Sequence, residues 1–551
     1  MDILLFSLLT NSIYYCAGRL FISQNNFNFN SQFNIYFQGI LIISFIALIL
    51  NFFVKLSPQI NSIIYILILS LFIIKFKNKF NLNDLSFLIL SSLITFFLII
   101  FSTINRPDAG LYHLPFISIL NEHKIILGVS NIHHRFGHTS ILQYLSAINN
   151  NYLFKDNGIS IPLASLVSFF YIYFFSDVWK IIRKKELPNL GNIFSLFIIV
   201  YISYKMTRYS SFGNDVIPNL TFFYLTSYIL KNNFDSININ KVVLISVFIF
   251  INKPTLGLVF IIPAIIFFIK EKNKLKNLFK LLYSFPLILL FLWLIKNLLI
   301  SGCAVFPAKI SCIENLPWTN NTQIINSNIE GQAWSKGWPD RKDKNIKMVD
   351  FSKKFNWIKT WSSKHLKYIL KIIIPYIIVV LIITFFIKKY LHSHKKKDED
   401  LNKRILLLIT TSFICLLSFF LIFPIYRYGY SFLISFILLI IMLVFKDSKF
   451  LNKNTNLFKS VFIISILIIS LKHFQKIYNN YDNDKWPNIY TLNENEEKKF
   501  KSFNIGENFN YYQSVSGENL CMYSNSPCTS YPVSKNIDHK IILGYSVLIL
   551  K

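Results

Sequence analysis

Charged residues are scarce in this sequence. Only 15% of its 551 residues are Asp, Glu, Lys or Arg, while 53% are hydrophobic and 17% are aromatic. Soluble globular proteins carry roughly 25% charged residues. The chain therefore lacks the polar surface that a water-soluble protein needs. The same composition excludes a disordered, a fibrous or a disulfide-dense secreted protein.

Glycine is also scarce, at 16 residues. The sequence has no glycine-rich phosphate loop, no dinucleotide fingerprint, no HExxH motif and no GxSxG motif. CxxC zinc spacing is absent as well. The shortage of glycine, together with the missing phosphate loop, excludes an energy-coupled ATPase domain.

Long apolar runs make up most of the chain, and several are long enough for a helix to cross a hydrocarbon core about 30 Å thick. The first run follows Met1-Asp2 with no cationic leader, so we interpret it as a retained helix and not as a cleaved signal. The sequence predicts an all-α polytopic membrane protein with about 13–14 transmembrane or membrane-embedded helices. The predicted segments lie near 2–16, 37–54, 59–75, 84–104, 159–179, 191–205, 216–230, 242–252, 255–269, 279–300, 367–387, 405–423, 429–445 and 460–472.

Lys and Arg outnumber Asp and Glu by 57 to 27, a balance that can indicate a nucleic-acid partner. Here the cations lie in short blocks between apolar runs, where the positive-inside rule explains them better. Asn, Ile and Phe are abundant too and share A/T-rich codons with Lys, so we expect no nucleic-acid partner. The cytoplasmic blocks are Lys75/Lys77/Lys79, Arg183/Lys184/Lys185, Lys270/Lys272/Lys274/Lys276, Lys388/Lys389 with Lys395/Lys396/Lys397, and Lys446/Lys449/Lys453.

This topology divides the chain into six parts. The N-terminal, central and C-terminal helices occupy 1–104, 159–300 and 367–472. The loops 105–158 and 301–366 and a small tail domain, 473–551, face outward. We expect the chain in a bacterial inner (cytoplasmic) membrane, with these three parts in the periplasm.

One segment, 242–269, allows two interpretations. It is either one long helix kinked at Pro254 or a hairpin of two short helices that meet at Asn252-Lys253-Pro254. A single helix would move the block that begins at Lys270 to the outside. The positive-inside rule therefore favours the hairpin.

The six cysteines differ in their surroundings. Cys16 and Cys415 lie in apolar runs, while the other four lie in outward-facing parts, where disulfides persist. Local pairing is favoured over the other pairings and over free thiols. The favoured pairs are Cys303 with Cys312 and Cys521 with Cys528.

The first outward loop holds half of the histidines. Its segments 110–123 and 138–149 are predicted to be amphipathic helices that lie on the membrane. Asp108 follows the fourth span directly. Its carboxylate can accept a proton from an attacking hydroxyl, hold a divalent cation, or only cap the following helix. The loop histidines are His113, His123, His133, His134 and His138.

His133 and His134 can orient a phosphate, ligate a metal or make ordinary interfacial hydrogen bonds. Further ionisable residues fall at the same membrane margin: Arg208, Asp215, Lys253 and Arg427. Charges at membrane depth are costly and usually mark a functional site. Cations from three short loops would suit a phosphate, while snorkelling explains any single one of them.

The second outward loop is rich in tryptophan. Trp334 and Trp338 lie at its centre, within 332–340. Tryptophan faces stack on sugars, and they also anchor proteins at membrane interfaces, so both roles stay open. The tail is rich in asparagine and contains short strand-like runs such as 541–550.

These features resemble the GT-C superfamily of integral-membrane glycosyltransferases: many spans, an acidic residue in an early outer loop, and short membrane-embedded helices. The segments 108–113, 135–137 and 334–340, and Ser301-Gly-Cys303 with Phe306-Pro307, more closely resemble an uncharacterised family of bacterial multi-pass membrane proteins. The GT-C resemblance implies a polyprenyl-phosphate-linked sugar donor and transfer on the outer face. It implies Asp108 as base or metal partner, and it leaves open a divalent cation, Mg²⁺ or Mn²⁺.

The leading hypothesis is transfer of a sugar to an envelope glycan or lipid acceptor. Asp108 would deprotonate the acceptor hydroxyl with support from His113 or His134. Arg427, with Lys253 or Arg208, would neutralise the lipid phosphate. Asp215, His133, Arg135, Trp334 and Trp338 are further site candidates. The alternatives are a transporter or flippase of lipid-linked glycans and a non-catalytic factor in envelope polysaccharide assembly.

Overall fold

A computed structural model describes most of the chain. The described residues are 1–21, 29–76, 82–103, 107–185, 187–205, 212–270, 280–282, 284–389, 391–393, 399–445, 448–450, 455–491, 500–506, 509–515 and 520–551. The fold is mostly helical, with a small region of strands near the C-terminus. Arg208, one of the proposed phosphate ligands, lies outside the described residues.

Fourteen of the described helices correspond one for one to the fourteen predicted apolar segments. Eight of them are long and apolar enough to cross a membrane, and five more are shorter apolar helices. The helices are α1 Asp2–Phe21, α2 Phe29–Phe53, α3 Pro58–Phe76, α4 Leu82–Ile99, α5 Ile161–Ile182, α6 Leu190–Lys205, α7 Val216–Lys231, α8 Ile239–Asn252, α9 Ile261–Lys270, α10 Phe285–Ser301, α11 Lys367–Lys388, α12 Glu399–Ile422, α13 Tyr426–Met442 and α14 Asn456–Asn479.

The helices run back and forth between two ends of one bundle. At the first end, here called the site end, the Trp361 indole donates to the Pro424 carbonyl at 2.7 Å, and Gly128 N–H donates to Leu299 O at 2.9 Å. At the opposite end, Phe234 N–H lies 3.4 Å from an Asp400 carboxylate oxygen. The loops 105–158 and 301–366 and the tail all lie at the site end, as the alternation of spans predicts.

The segment 242–269 is a hairpin, as the positive-inside rule predicts. Helix α8 ends at Asn252, Lys253 is extended, and a 3₁₀ segment, Pro254–Phe260, leads into α9. At the far end of α9, the Lys270 ammonium donates to the Asp235 carbonyl at 2.9 Å. Asp235 precedes α8, so the two arms lie side by side and Lys253 is at the tip.

Helix α5 is the centre of the bundle and α14 is at its edge. In the segment Lys155–Ile182, 94% of the most apolar stretch is buried, against 17% in Asn456–Asn479 and 28% in Pro58–Phe76. The outer helices therefore leave large aliphatic side chains uncovered, such as Ile66 and Leu71 in α3. A bundle with a packed centre and an apolar outer surface suits an apolar solvent.

The helices of the first outward loop are real, but their predicted position on a membrane surface is wrong. They run from Leu114 to Glu122, after a π-helical turn Ala109–His113, and from Ile141 to Ile148. Every side chain of 114–121 and of 141–148 is buried in protein. The tail covers this loop: Met522 N–H donates to Gly110 O at 2.8 Å and Leu548 N–H donates to Leu127 O at 2.9 Å.

The second outward loop contains one long helix, Asn321–Ser335, and two short ones, Met348–Ser352 and Ile358–Trp361. The strand-like run 541–550 proves to be the end of one strand and the whole of the next, joined at Leu543-Gly544. β1 pairs with β2, β3 with β4, β4 with β5, and β6 with β7. The strands are β1 Leu391–Ser393, β2 Ser448–Phe450, β3 Phe500–Ile505, β4 Phe509–Ser514, β5 Cys528–Thr529, β6 Ile537–Ile542 and β7 Tyr545–Leu550.

Disulfides join Cys303 to Cys312 and Cys521 to Cys528. These are the two local pairs that the sequence favours. Cys16 and Cys415 are free and buried in the bundle. Each disulfide closes a short loop at the site end.

Candidate functional site

Four ionisable side chains from four separate loops meet at the site end and form a chain of ion pairs, here called the charged quartet: Asp108, Arg427, Asp215 and Lys253. Arg427 Nη2 donates to Asp108 Oδ2 at 3.0 Å, and Arg427 Nε lies 3.6 Å from Asp215 Oδ2. The Lys253 ammonium pairs with the other oxygen of Asp215. Two carboxylates and two cations thus alternate in space, although the paired residues Asp108 and Arg427 are 319 positions apart in the sequence.

The quartet is open to the surroundings. The Asp108 side chain is 25% exposed and that of Arg427 is 28% exposed, whereas Lys253 is buried beneath them. A charged ligand can reach an ion pair that remains partly exposed and take the place of one partner. The new attraction between the ligand and the remaining charge then replaces part of the Coulomb attraction that is lost. The arrangement is therefore suited to binding an anion without burying an unpaired charge.

Asp108 does not serve as the helix cap that the sequence allows. Its side chain makes no capping hydrogen bond to the turn that begins at Ala109, and its carboxylate accepts from Arg427 instead. Asp215 also precedes a helix, α7, without capping it. Both carboxylates are thus committed to the quartet and not to local structure.

The hairpin tip places Lys253 under an aromatic ring. Its ammonium lies 3.6 Å from the centre of the Tyr428 ring, a favourable cation–π arrangement. The tip is fixed from the side by Asn214, whose amide donates to the Asn252 carbonyl at 2.6 Å. Tyr428 follows Arg427 directly in α13, and its ring lies near both cations of the quartet, Lys253 and Arg427.

Arg427 is held in the first turn of α13, which is bent at Gly429. A Cβ atom on Gly429 would lie 2.5 Å from the Phe419 ring, so the close approach of α12 requires glycine here. Asn219 in α7 ties the same region to Asp215: its amide donates to Asp215 O at 2.7 Å, and its oxygen accepts from Ser431 N–H at 3.2 Å.

A second group of polar side chains joins the two outward loops. Arg135 Nη2 donates to Glu330 Oε1 at 3.1 Å, and His134 Nε2 lies 3.7 Å from Glu330 Oε2. We call Arg135, His134 and Glu330 the Glu330 cluster. The Arg135 guanidinium also lies 5.5 Å from the centre of the Tyr112 ring. Arg135 and Tyr112 both interact electrostatically with Asp108, so the cluster adjoins the quartet.

His113 and His134 are neutral at pH 7. Burial lowers the pKa of His134 to about 4 and outweighs the opposing influence of Glu330. Burial also lowers the pKa of His113 to about 4, in spite of Asp108 and Asp215; its Nδ1 lies 3.3 Å from the Gln143 amide. Neutral imidazoles can orient a hydroxyl through one hydrogen bond, but they contribute no charge towards a phosphate.

His133 is buried, its Nδ1 accepts from Arg135 N–H at 3.1 Å, and its ring stacks on that of His134. It therefore shapes the loop that carries the Glu330 cluster. Burial lowers the pKa of His133 well below its ordinary value.

The two tryptophans of the second loop differ in their environment. Trp334 is 51% exposed and lies one helical turn after Glu330. Trp338 is half-buried, packs on Phe351, and has the Arg341 guanidinium 3.7 Å from its ring centre. Trp334 is thus open to a ligand, whereas Trp338 is engaged within its own loop.

Side chains from the two disulfide-closed loops pack closely against two glycines of the first outward loop. A Cβ atom on Gly110 would lie 2.1 Å from Met522 Sδ, and one on Gly137 would lie 2.6 Å from the Phe306 ring. Met522 follows Cys521, and Phe306 lies between Cys303 and Cys312. Each disulfide loop therefore contacts the chain within two residues of a site residue, Asp108 or Arg135.

Sequence reasoning missed Glu330, Tyr112 and Tyr428, and it named His138 only as a member of the histidine cluster. His138 is exposed although Phe136, Gly137 and Thr139 are buried, and its ring meets Phe306 at 5.1 Å. Burial lowers the pKa of His138 to about 3, with Arg135 and His134 adding to the effect. The proximity of Glu330 to Trp334 was the only available signal for that carboxylate.

Among the described residues, no group of three or more His, Cys, Asp or Glu side chains is placed to hold a metal ion. In the quartet, each carboxylate faces a cation, which disfavours a second cation at the same oxygens. The residues present therefore do not fit the divalent cation that the GT-C resemblance leaves open.

Comparison with known proteins places the chain in a family without assigning it an activity. No curated protein and no solved structure matches it. One family model, described as a domain of unknown function (DUF8201), matches residues 1–434. That range includes the whole quartet and the Glu330 cluster and ends before the tail. The chain therefore belongs to the DUF8201 family of domains of unknown function.

Proposed function

We propose that the chain is a polytopic protein of a bacterial inner membrane, with the site end facing the periplasm. The eight helices of spanning length and the uncovered aliphatic side chains of the outer helices support this proposal. The lysine blocks support it too. Each block begins at or just after a helix end that lies away from the site end. The two disulfides lie at the site end and suit an oxidising compartment.

We further propose a GT-C-type glycosyltransferase that uses a polyprenyl-phosphate-linked sugar. The observation that carries this proposal is the charged quartet: two cations and two carboxylates from four loops, partly exposed at the end of an apolar bundle. A lipid-linked phosphate would reach this position with its chain beside the helices and its charged group at their ends.

The quartet suggests how binding would prepare the reaction. The donor phosphate would bind Arg427 and Lys253 and weaken the hold of Arg427 on Asp108. The released carboxylate would then accept the proton of an acceptor hydroxyl as its oxygen attacks the anomeric carbon. The bond between that carbon and the phosphate oxygen breaks, and the lipid phosphate leaves with the electron pair, stabilised by the two cations.

The donor site is tested by native mass spectrometry of the protein purified in mild detergent. We expect a polyprenyl phosphate or its sugar conjugate on the wild-type protein and its loss in Arg427→Ala. Arg341→Ala is the matched control, because Arg341 lies in an outward loop and stacks on Trp338. Repeated absence of such a lipid from the wild type, or its full retention by Arg427→Ala, would contradict the donor site.

Chemistry is tested separately with Asp108→Asn. We expect this variant to keep the bound lipid and to lose transfer by at least 100-fold, a typical contribution of a general base. Asp340→Asn, an exposed carboxylate paired with Lys364, should behave as wild type. Abundant transfer by a well-expressed Asp108→Asn protein would exclude the catalytic role. Bound lipid without any transfer by the wild type would instead favour a flippase.

A further inference from the structure

Beside the quartet lies a surface of different character. The Glu330 cluster contains one cation and one carboxylate that neutralise each other, and a histidine whose pKa, lowered to about 4 by burial, leaves it neutral. All three side chains are partly exposed: Arg135 by 26%, His134 by 19% and Glu330 by 33%. They offer hydrogen-bond donors and acceptors with no net charge.

An aromatic face adjoins these polar groups. Trp334 and Glu330 are four residues apart in the helix Asn321–Ser335, so their side chains lie on the same face. That helix is anchored at its end, since Ser335 Oγ donates to the Ile422 carbonyl at 3.4 Å. The indole of Trp334 stays 51% exposed, so its face is open to a ligand.

From these observations we infer that the Glu330 cluster and Trp334 form a saccharide subsite that binds the acceptor. The hydroxyls of an uncharged sugar would bind Glu330, Arg135 and His134, and its apolar face would stack on Trp334. The cluster has one cation, Arg135, where the quartet has two, so an anionic sugar would be repelled by Glu330 without a second cation to bind it. The subsite therefore selects neutral saccharides.

The position of the subsite suits this role. Arg135 lies over Tyr112, and both interact electrostatically with Asp108. His138, three residues after Arg135, is exposed and its ring lies 5.1 Å from that of Phe306. A sugar on the cluster would therefore have a hydroxyl directed towards Asp108. This inference depends on the proposed glycosyltransferase for its biological meaning, but sugar binding itself is measured without turnover.

The test is binding of the detergent-purified full chain to an immobilised array of neutral and acidic oligosaccharides. We expect the wild type to bind neutral members. Glu330→Gln and Trp334→Ala should each weaken that binding at least tenfold. Glu314→Gln is the matched control, because Glu314 is an exposed carboxylate of the same loop that pairs only with the exposed Lys309. Thermal unfolding of each variant separates lost binding from lost folding.

Several outcomes would overturn the inference. These are no binding to any neutral member, a preference for acidic members, or equal binding by wild type, Glu330→Gln and Trp334→Ala. If folded wild type retains a polyprenyl phosphate yet binds no saccharide, the subsite is wrong while the donor site stands. If neutral saccharides bind through Glu330 but no lipid phosphate is retained, the subsite stands while the donor site fails.

Discussion

Arg427 is the side chain on which the site depends, because it bridges two carboxylates that the sequence places more than 100 positions apart. Each cation of the quartet balances a carboxylate. Removing one partner therefore leaves the other charge unpaired in a partly dehydrated position. The free energy lost when one partner is removed exceeds the stabilisation that the intact ion pair contributes. The quartet is thus a unit, and a substitution that removes one of its cations, such as Arg427→Ala, will affect lipid binding and local order together.

Gly110 offers a test of packing beside Asp108. Gly110→Ala should destabilise the protein by about 1–3 kcal/mol, since the new methyl group would overlap Met522. Met522→Ala should make the same alanine tolerable, which a double-mutant cycle by thermal unfolding would measure. The control is Gly331→Ala, where the nearest atom is 3.6 Å away and a helical glycine is replaced. Equal effects at the two glycines would contradict the packing.

The neutral histidines predict a loss of stability in acid. His113 and His134 have pKa values of about 4 in the folded chain and about 6.5 when unfolded. Between these values the unfolded chain binds more protons, so stability falls as the pH falls. Each histidine should account for at most about 2 kcal/mol between pH 7 and pH 5. Unfolding midpoints from pH 7 to pH 5 check this, and His134→Asn should flatten the slope.

The fourteen apolar helices were predictable from sequence because each one carries its own signal. A run of apolar residues bounded by lysines is enough to predict a helix without knowledge of distant residues. The hairpin at Pro254 was predicted from the distribution of positive charge alone. The helices of the first loop were predicted, but not their burial, because the residues that cover them, such as Met522 and Leu548, come some 400 positions later. The ion pair between Glu330 and Arg135 was not predicted for the same reason, because nothing near Glu330 in the sequence identifies its partner.

The two disulfide loops should act on different parts of the first loop. Removing the Cys521–Cys528 bond with serines should free Met522 from Gly110 and raise amide hydrogen exchange around 107–114. Removing the Cys303–Cys312 bond should free Phe306 from Gly137 and raise exchange around 133–140 instead. Each double variant is the control for the other. Uniform changes across both segments would show that the disulfides only stabilise the protein as a whole.

In the part of the chain that the structure describes, the two outward loops and the tail lie at the site end, whereas Lys75 and Lys270 lie at the opposite end, beside Leu20 and Asp235. This predicts which positions a membrane-impermeant maleimide reaches in intact cells. Asn345→Cys, at the site end, should be labelled without permeabilisation. Ser236→Cys, at the opposite end, should be labelled only after it. The reverse pattern would invert the proposed orientation, and labelling of both would argue against a membrane barrier between the ends.

The hydrogen bond from Met522 to Gly110 has a consequence for biogenesis. The segment with Asp108 leaves the ribosome early, but the segment that covers it follows after roughly 400 more residues, or about 20–80 s at 5–20 residues per second. Until then the helices can form while Asp108 has neither its cover nor Arg427 beside it. A stalled or truncated chain would therefore lack the complete site, and the proposed reaction would begin only when synthesis and oxidation of the tail are complete.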